Sequence, residues 1–276
     1  MSFERVLLDL GGVARRKDLV SAGIGRAEIK GAIDRGEVVK PSRGVFAVPN
    51  PTPELLAAKC VKAELACISA AKHLELWILR QPSLIHVRVN HGRALEGNFR
   101  VHRAGPGGVS QMCQQVMRCL PELDALCIVE SAVVRGLVTL RELQEAVTGQ
   151  RDGPARRIVA LVDPHSQSII ETVARYHLHR TGFSCQSQVY VQGVGRLDLF
   201  VEGILGIEAD GREYYSGRQE FEEDRRRWNL LTVGAIPLIR ATQPLLVNQP
   251  TQFIDWVTRV LARKPAHRVG HPSGHN

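Results

Sequence analysis

"GRLDLFVEGILGIEADGREYYSGRQEFEEDRRRWNLL", residues 195–231, sets five of its nine acidic side chains, Asp198, Glu202, Glu208, Asp210 and Glu213, in its apolar first half, within a basic chain. Burying carboxylates is costly unless something positive meets them. The stretch therefore asks whether that partner is an arginine or a metal ion. Two of its runs, GRLDLFV (195–201) and ILGIEAD (204–210), read as strands joined at Glu202-Gly203. Before them, SQSIIETVARYHLHRTG (166–182) reads as a helix ended by Gly182, and CQSQVYVQ (185–192) as a strand. After them, RQEFEEDRRRWNLLTVG (218–234) reads as a helix with Phe221, Trp228 and Leu231 on its core face, and IPLIRAT (236–242) closes as a strand. This order predicts an α/β sheet with a site at one edge.

Strand geometry makes the site specific. Glu208 and Asp210 are two residues apart and project from one face, while Ile207 and Ala209 face the other way. Asp198, on the preceding strand, is close enough to share that face. Converging carboxylates repel and raise one pKa unless a divalent cation sits between them. Mg²⁺, with Mn²⁺ as a substitute, takes oxygen ligands from one or two carboxylates and substrate phosphate. The expected ligands are Asp198 and Glu208, and Glu171 could orient or deprotonate a water. Plainer alternatives stand beside this. Glu171 could pair with Arg175 or complete a capping box from Ser168, Asp198 could bridge to Arg196, and Ala209-Asp210-Gly211 could be a turn.

The first fifty residues have a different rhythm. FERVLLDL, RRKDLVSAG and GRAEIKGAIDRG read as three short helices punctuated by glycines, and EVVKPSRGVFAVPN as two strands around a Pro-Ser-Arg-Gly turn. Three helices and a hairpin make a winged helix-turn-helix. Arg26 and Lys30 fall on the exposed side of the third helix, the one that enters a major groove. Arg15, Arg16 and Lys17 open the second helix, and Lys40 and Arg43 lie on the wing, all suited to phosphates. The alternative is a winged helix used for protein contacts, its cations merely solvated.

The remainder is less specific. Pro49, Pro51 and Pro53 mark a linker, residues 53–149 alternate helices and short strands as a connecting α+β domain, and GQRDGPARR (149–157) reads as a flexible break. Within the connecting segment Thr139 and Glu142 carry a helix-start signature. The expected division is 1–50, 53–149, 158–262 and a disordered tail, 263–276. The 276 residues exceed one domain's usual core, and a net charge of +8 with a pI near 9.5 suits a polyanion such as double-stranded DNA. No apolar run reaches the roughly 18 residues of a membrane helix, and the N-terminus shows no cleavage signal, so a cytoplasmic location is expected. Six cysteines form no C-x-x-C pair and no histidine stands at zinc-finger spacing from them, which argues for reduced core thiols over structural zinc.

Two resemblances attach to these residues. The run from "SIIE" (168–171) through "GRLDLFVEGILGIEADGREYYSGRQEFEEDRRRWNLLTVGAIPLIRAT" (195–242) resembles the very-short-patch-repair-like endonuclease domains of the PD-(D/E)XK nuclease superfamily. The resemblance implies a restriction-endonuclease-like mixed sheet flanked by helices, with Glu171, Asp198 and Glu208 as its acids. Asp224, Arg227 and Arg240 match downstream positions, Arg227 as a DNA contact. Asp210 stands where the superfamily usually has lysine. Tyr215 stands where the domain family commonly has histidine, and a phenol with pKa near 10 shuttles protons poorly at neutral pH, which implies weakened activity. Residues 11–49, "GGVARRKDLVSAGIGRAEIKGAIDRGEVVKPSRGVFAVP", resemble the winged-helix head of AbiEi-type antitoxins from abortive-infection phage defence.

The function so implied is a Mg²⁺-dependent DNA endonuclease or nickase targeted by a winged helix, with Glu171, Asp198, Glu208, Asp210 and Tyr215 at its site. The alternative is a non-enzymatic, antitoxin-like transcriptional regulator with a degenerate nuclease domain. A homodimer and a toxin or defence-system partner are admitted beside double-stranded DNA.

Overall fold

Glycines end the first helices because the chain must turn through backbone that other residues adopt at a cost. Gly23, at φ 82°, closes the second helix, and Gly44, at φ 79°, turns the wing. The computed structural model describes residues 3–90, 92, 94–103, 107–192, 195–210, 229–230, 233–234 and 236–263. The chain divides into two compact units, Met1–Ala160 and Leu161–Asn276. Both mix helices with sheet.

The first unit begins with α1 (Phe3–Asp9), β1 (Val13–Arg15), α2 (Arg16–Ser21), α3 (Arg26–Asp34), β2 (Val39–Ser42) and β3 (Val45–Ala47). Helix α1 turns Phe3, Val6 and Leu7 inward onto Leu19, Ile29, Val38 and Phe46, the core of a three-helix winged module. The three strands pair in the order β1-β3-β2. Strand β1 is absent from the sequence expectation: Arg15 belongs to it, and α2 starts at Arg16. Three residues are too few for alternation to register.

The proline-marked segment leads straight into α4 (Pro53–Cys60), whose Leu55 packs with Val13, Val45 and Ala47 of the winged module's strands. A two-residue strand, β4 (Glu64–Leu65), then separates α4 from α5 (Cys67–His73), so the apolar run 54–76 is broken where Lys62 and Cys67 take positive φ. Strands β5 (Ile85–Val89) and β6 (Phe99–Arg103) complete a second sheet, ordered β4-β5-β6, with β5 and β6 parallel. Helices α6 (Val109–Cys119), α7 (Glu122–Val134), α8 (Leu140–Ala146) and α9 (Gly153–Leu161) follow. Thr139 and Glu142 form the capping box of α8: the hydroxyl accepts the Glu142 amide at 3.1 Å and the carboxylate accepts the Thr139 amide at 2.7 Å. The basic stretch 149–157, expected as a flexible break, is a 3-10 turn running into α9, with the Arg156 guanidinium donating to the carbonyls of Val147 and Gly149.

The second unit packs α10 (Ile169–Arg180) under a mixed sheet of β7 (Cys185–Val191), β8 (Gly195–Val201), β9 (Leu205–Asp210) and β10 (Leu238–Thr242). The order is β10-β9-β8-β7, with β10 parallel to β9 and the other neighbours antiparallel. Leu197, Leu199, Val201, Leu205 and Ile207 are fully buried. Two helices, Gln243–Asn248 and Pro250–Ala262, follow the last strand and bury Leu245, Leu246, Phe253 and Val257. Phe221, Asp224, Arg227, Trp228, Leu231, Glu213, Tyr215 and the expected tail from 264 onward lie outside the described residues. No helix among the described residues is long and apolar enough to cross a membrane.

Candidate functional site

Arg26 and Lys30 are exposed on α3, whose opposite side buries Ile29 and Ala32. Arg43 is exposed in the wing turn, and Arg16 and Lys17 are exposed at the start of α2. The Arg16 amide donates to the Gly44 carbonyl at 2.9 Å, which fixes the wing turn beside the start of α2. Here Arg15, Arg16, Lys17, Arg43, Lys59 and Lys62 line one cavity of about 210 Å³. Lys59 pairs with Asp18 at 3.5 Å, and the Asp18 carboxylate also accepts the Arg15 amide at 3.1 Å. Sequence reasoning placed the first four cations on the winged module and missed Lys59 and Lys62. Those two belong to α4 and its C-terminal turn, which dock against the wing through Leu55. A concavity lined by one sign of charge concentrates its field on an anion entering it.

The acids of the second unit have identifiable partners. The Asp198 carboxylate accepts the Ala209 amide at 2.9 Å. The β8–β9 ladder runs from Val201–Leu205 to Leu199–Ile207, so one further pair in that register would set Asp198 opposite Glu208. Glu208 in turn meets Arg240 of β10, its register partner, with Nε 3.4 Å from Oε2. Glu202 sits in the turn after β8 and accepts the Ser184 amide at 2.6 Å. Asp210 ends β9, half-buried, in register with Thr242. Among the described residues, Glu208 thus meets an arginine, while Asp198 and Glu202 accept backbone N–H groups.

Glu171 is buried near the start of α10 and accepts three hydrogen bonds: from the Gln167 amide at 3.0 Å, the Ser168 hydroxyl at 2.9 Å and the Gln188 amide group at 2.8 Å. Ser168 accepts the Glu171 amide at 3.2 Å, so this acid is part of the helix cap. Burial raises the Glu171 pKa above the ordinary carboxylate range and the nearby Asp198 charge adds to it, against the lowering effect of those hydrogen bonds. The Arg175 guanidinium donates to the Leu161 carbonyl at 2.5 Å and faces Asp163 at 3.8 Å. Arg196 donates to Gln167 at 2.9 Å.

The first unit also gathers side chains that the sequence scatters. Cys67, His86, His102 and Cys119 present ligand atoms all within 4.8 Å of one another, the one such tight grouping of three or more potential ligands among the described residues. The expectation of reduced core thiols rests on spacing along the chain, which does not register this grouping. Its members lie on four elements, at spacings that match no short motif.

Comparison with known proteins bears on the first module. Residues 4–49 match the family described as "Transcriptional regulator, AbiEi antitoxin". Among solved structures, the chain is similar to that described as "Crystal structure of RV2827C protein from Mycobacterium tuberculosis", at 19% identity over 64% of this chain and 74% of that one, with a TM-score of 0.22. No curated protein matches the chain. The N-terminal winged module is AbiEi-like.

Proposed function

We propose that this chain is a duplex-DNA-binding regulator that docks through its N-terminal winged module. The observation that carries this reading is the cavity lined by Arg15, Arg16, Lys17, Arg43, Lys59 and Lys62, on the unit that also exposes Arg26 and Lys30. Cations at the start of α2 and on the wing suit phosphates, which hold a protein in register on DNA, while a helix in the major groove reads base edges. Arg26 and Lys30 are the residues of α3 suited to that second role. The similarity of residues 4–49 to AbiEi-type regulators supports the reading, and a toxin or a second copy of the chain fits it as a protein partner. The test is gel retardation of duplex DNA by the full chain. Arg26→Ala with Lys30→Ala should weaken binding, and unchanged affinity would move the anchor elsewhere.

A second reading is a metal-dependent DNA endonuclease or nickase in the second unit. It is favoured by one observation: the Asp198 carboxylate lies against Ala209, next to Glu208, and its charge reaches the buried Glu171. The donors are all carboxylate oxygens, which suits Mg²⁺ or Mn²⁺. Asp198 and Glu208 would hold the ion, with Glu208 exchanging its Arg240 partner for it. A bound divalent ion would polarise a phosphodiester and lower the pKa of a water. Glu171, held by three donors, would position its carboxyl beside that pair. Asp210, Tyr215 and Arg227 complete the proposed set by resemblance.

A further inference from the structure

The geometry points to a structural zinc site in the first unit, with Cys67, His86, His102 and Cys119 as its four ligands. His102 Nε2 lies 3.2 Å from His86 Nδ1, and Cys119 Sγ lies 3.9 Å from the first histidine atom in the chain's order, His86 Nδ1, and 4.0 Å from His102 Nε2. A tetrahedral Zn²⁺ with ordinary bond lengths requires edges of about 3.3 Å between nitrogens, 3.6 Å between nitrogen and sulfur and 3.8 Å between sulfurs. The observed separations lie within about half an ångström of those edges. The fourth atom, Cys67 Sγ, is within 4.8 Å of the rest and needs about 1.2 Å of closure at most.

Each ligand is fixed by its own element. Cys67 opens α5 at φ 48°, a left-handed conformation that a non-glycine residue keeps only where its surroundings hold it there. The Gln115 side chain of α6 does so by accepting the Cys67 amide at 3.0 Å. His86 on β5 is pinned on both sides. Its amide donates to Ser69 Oγ at 2.9 Å, and its carbonyl accepts the Ala66 amide at 2.9 Å. His102 comes from β6 and Cys119 from the end of α6. Cys67 and His86 are buried, while His102 and Cys119 are half-buried. A cavity of about 280 Å³, lined in part by His86, Cys119 and Arg100, reaches the cluster and offers a way in.

The chemistry selects the ion. Two thiolates and two imidazoles favour Zn²⁺ over the oxygen-seeking Mg²⁺. Two thiolates would neutralise the ion's two charges, so the buried assembly carries no net charge. Four protein ligands leave no open position, the arrangement of a structural site. The ion would tie α5, β5, β6 and α6 together.

The test is metal titration of the full chain, purified under reducing conditions and stripped of metal. One Co²⁺ per chain should bind with the intense visible bands of a tetrahedral, thiolate-ligated ion, and Zn²⁺ should displace it. Cys119→Ser and His102→Ala, both at the half-exposed rim, should each weaken binding by more than about 100-fold, beyond the range for a residue that merely supports a ligand. Cys113→Ser, a buried thiol outside the cluster, should retain full stoichiometry. Circular dichroism of each apo variant separates ligand loss from misfolding. Only weak, octahedral Co²⁺ absorption, equal binding by wild type and Cys119→Ser, or a Cys67–Cys119 disulfide in place of metal in freshly isolated protein would overturn the assignment. None of these outcomes bears on DNA binding by Arg26 and Lys30.

Discussion

Asp198 replaces a strand carbonyl: its carboxylate takes the Ala209 amide of the neighbouring strand at 2.9 Å, one step beyond the last ladder pair, Leu199–Ile207. The residue that resemblance makes a metal ligand is therefore also part of the sheet. Asp198→Ala would leave that part-buried N–H without its acceptor and should cost about 1 kcal/mol or more. Asp198→Asn keeps an acceptor oxygen and should cost less. Urea unfolding of both variants checks the order.

This double role dictates how the nuclease reading is tested. Asp198→Asn, which removes the charge and retains the hydrogen bond, is the informative variant. Plasmid DNA with wild type should show slow nicking in Mg²⁺ or Mn²⁺ and none in EDTA, and Asp198→Asn should show none. Tyr215→His should raise the rate, by up to the roughly 10²–10⁴-fold that a placed acid or base contributes. No nicking by wild type in either metal, with no gain in Tyr215→His, would remove the endonuclease and leave the regulator.

The cap of α10 gives a stability prediction independent of catalysis. Ser168 accepts the Glu171 amide and donates to its carboxylate. Ser168→Ala should destabilise the protein by about 1 kcal/mol, the usual cost of losing an N-cap side chain. Chemical denaturation monitored by circular dichroism measures it.

Asp124 supplies a pH dependence. Burial raises its pKa although Arg80 stands 2.5 Å away and works in the opposite direction. An acid with a raised folded-state pKa binds its proton more readily folded than unfolded. Its contribution favours folding at low pH and is lost as pH rises from about 3.9 through the folded value. Asp124→Asn should flatten that part of the stability-against-pH curve, which urea midpoints across the acid range would show.

Cys113 is fully buried in α6 and burial pushes its thiol pKa up to about 12. It should resist alkylation in the native protein at pH 8 and react only after unfolding. Peptide mapping after brief maleimide treatment, with and without denaturant, distinguishes the two.

The winged module was legible because its helices are short, their buried residues fall at helical spacing as in Phe3, Val6 and Leu7, and glycines mark their ends. The four strands of the second unit were legible for a similar reason, since apolar runs there are bounded by turns. Strand β4 was hidden inside an apolar, helix-like run that only tertiary pairing with β5 interrupts. The acids were visible as a group, but their backbone partners were not, because the Ser184 and Ala209 amides carry no sequence signature. Lys59 and Lys62 join the basic cavity only once α4 packs on the wing. The Cys67–His86–His102–Cys119 cluster was invisible for the same reason: its neighbours are set by sheet register and helix packing, not by spacing along the chain.

The central claim is that cations of the winged module bind DNA phosphates. Its most direct measurement is the slope of log affinity against log salt concentration for the full chain on a duplex. Removing Lys17 and Arg43, both exposed and both lining the basic cavity, in Lys17→Ala with Arg43→Ala should make the slope shallower by about 2, close to 0.9 for each lost phosphate contact. An unchanged slope and unchanged affinity in that variant would contradict the account.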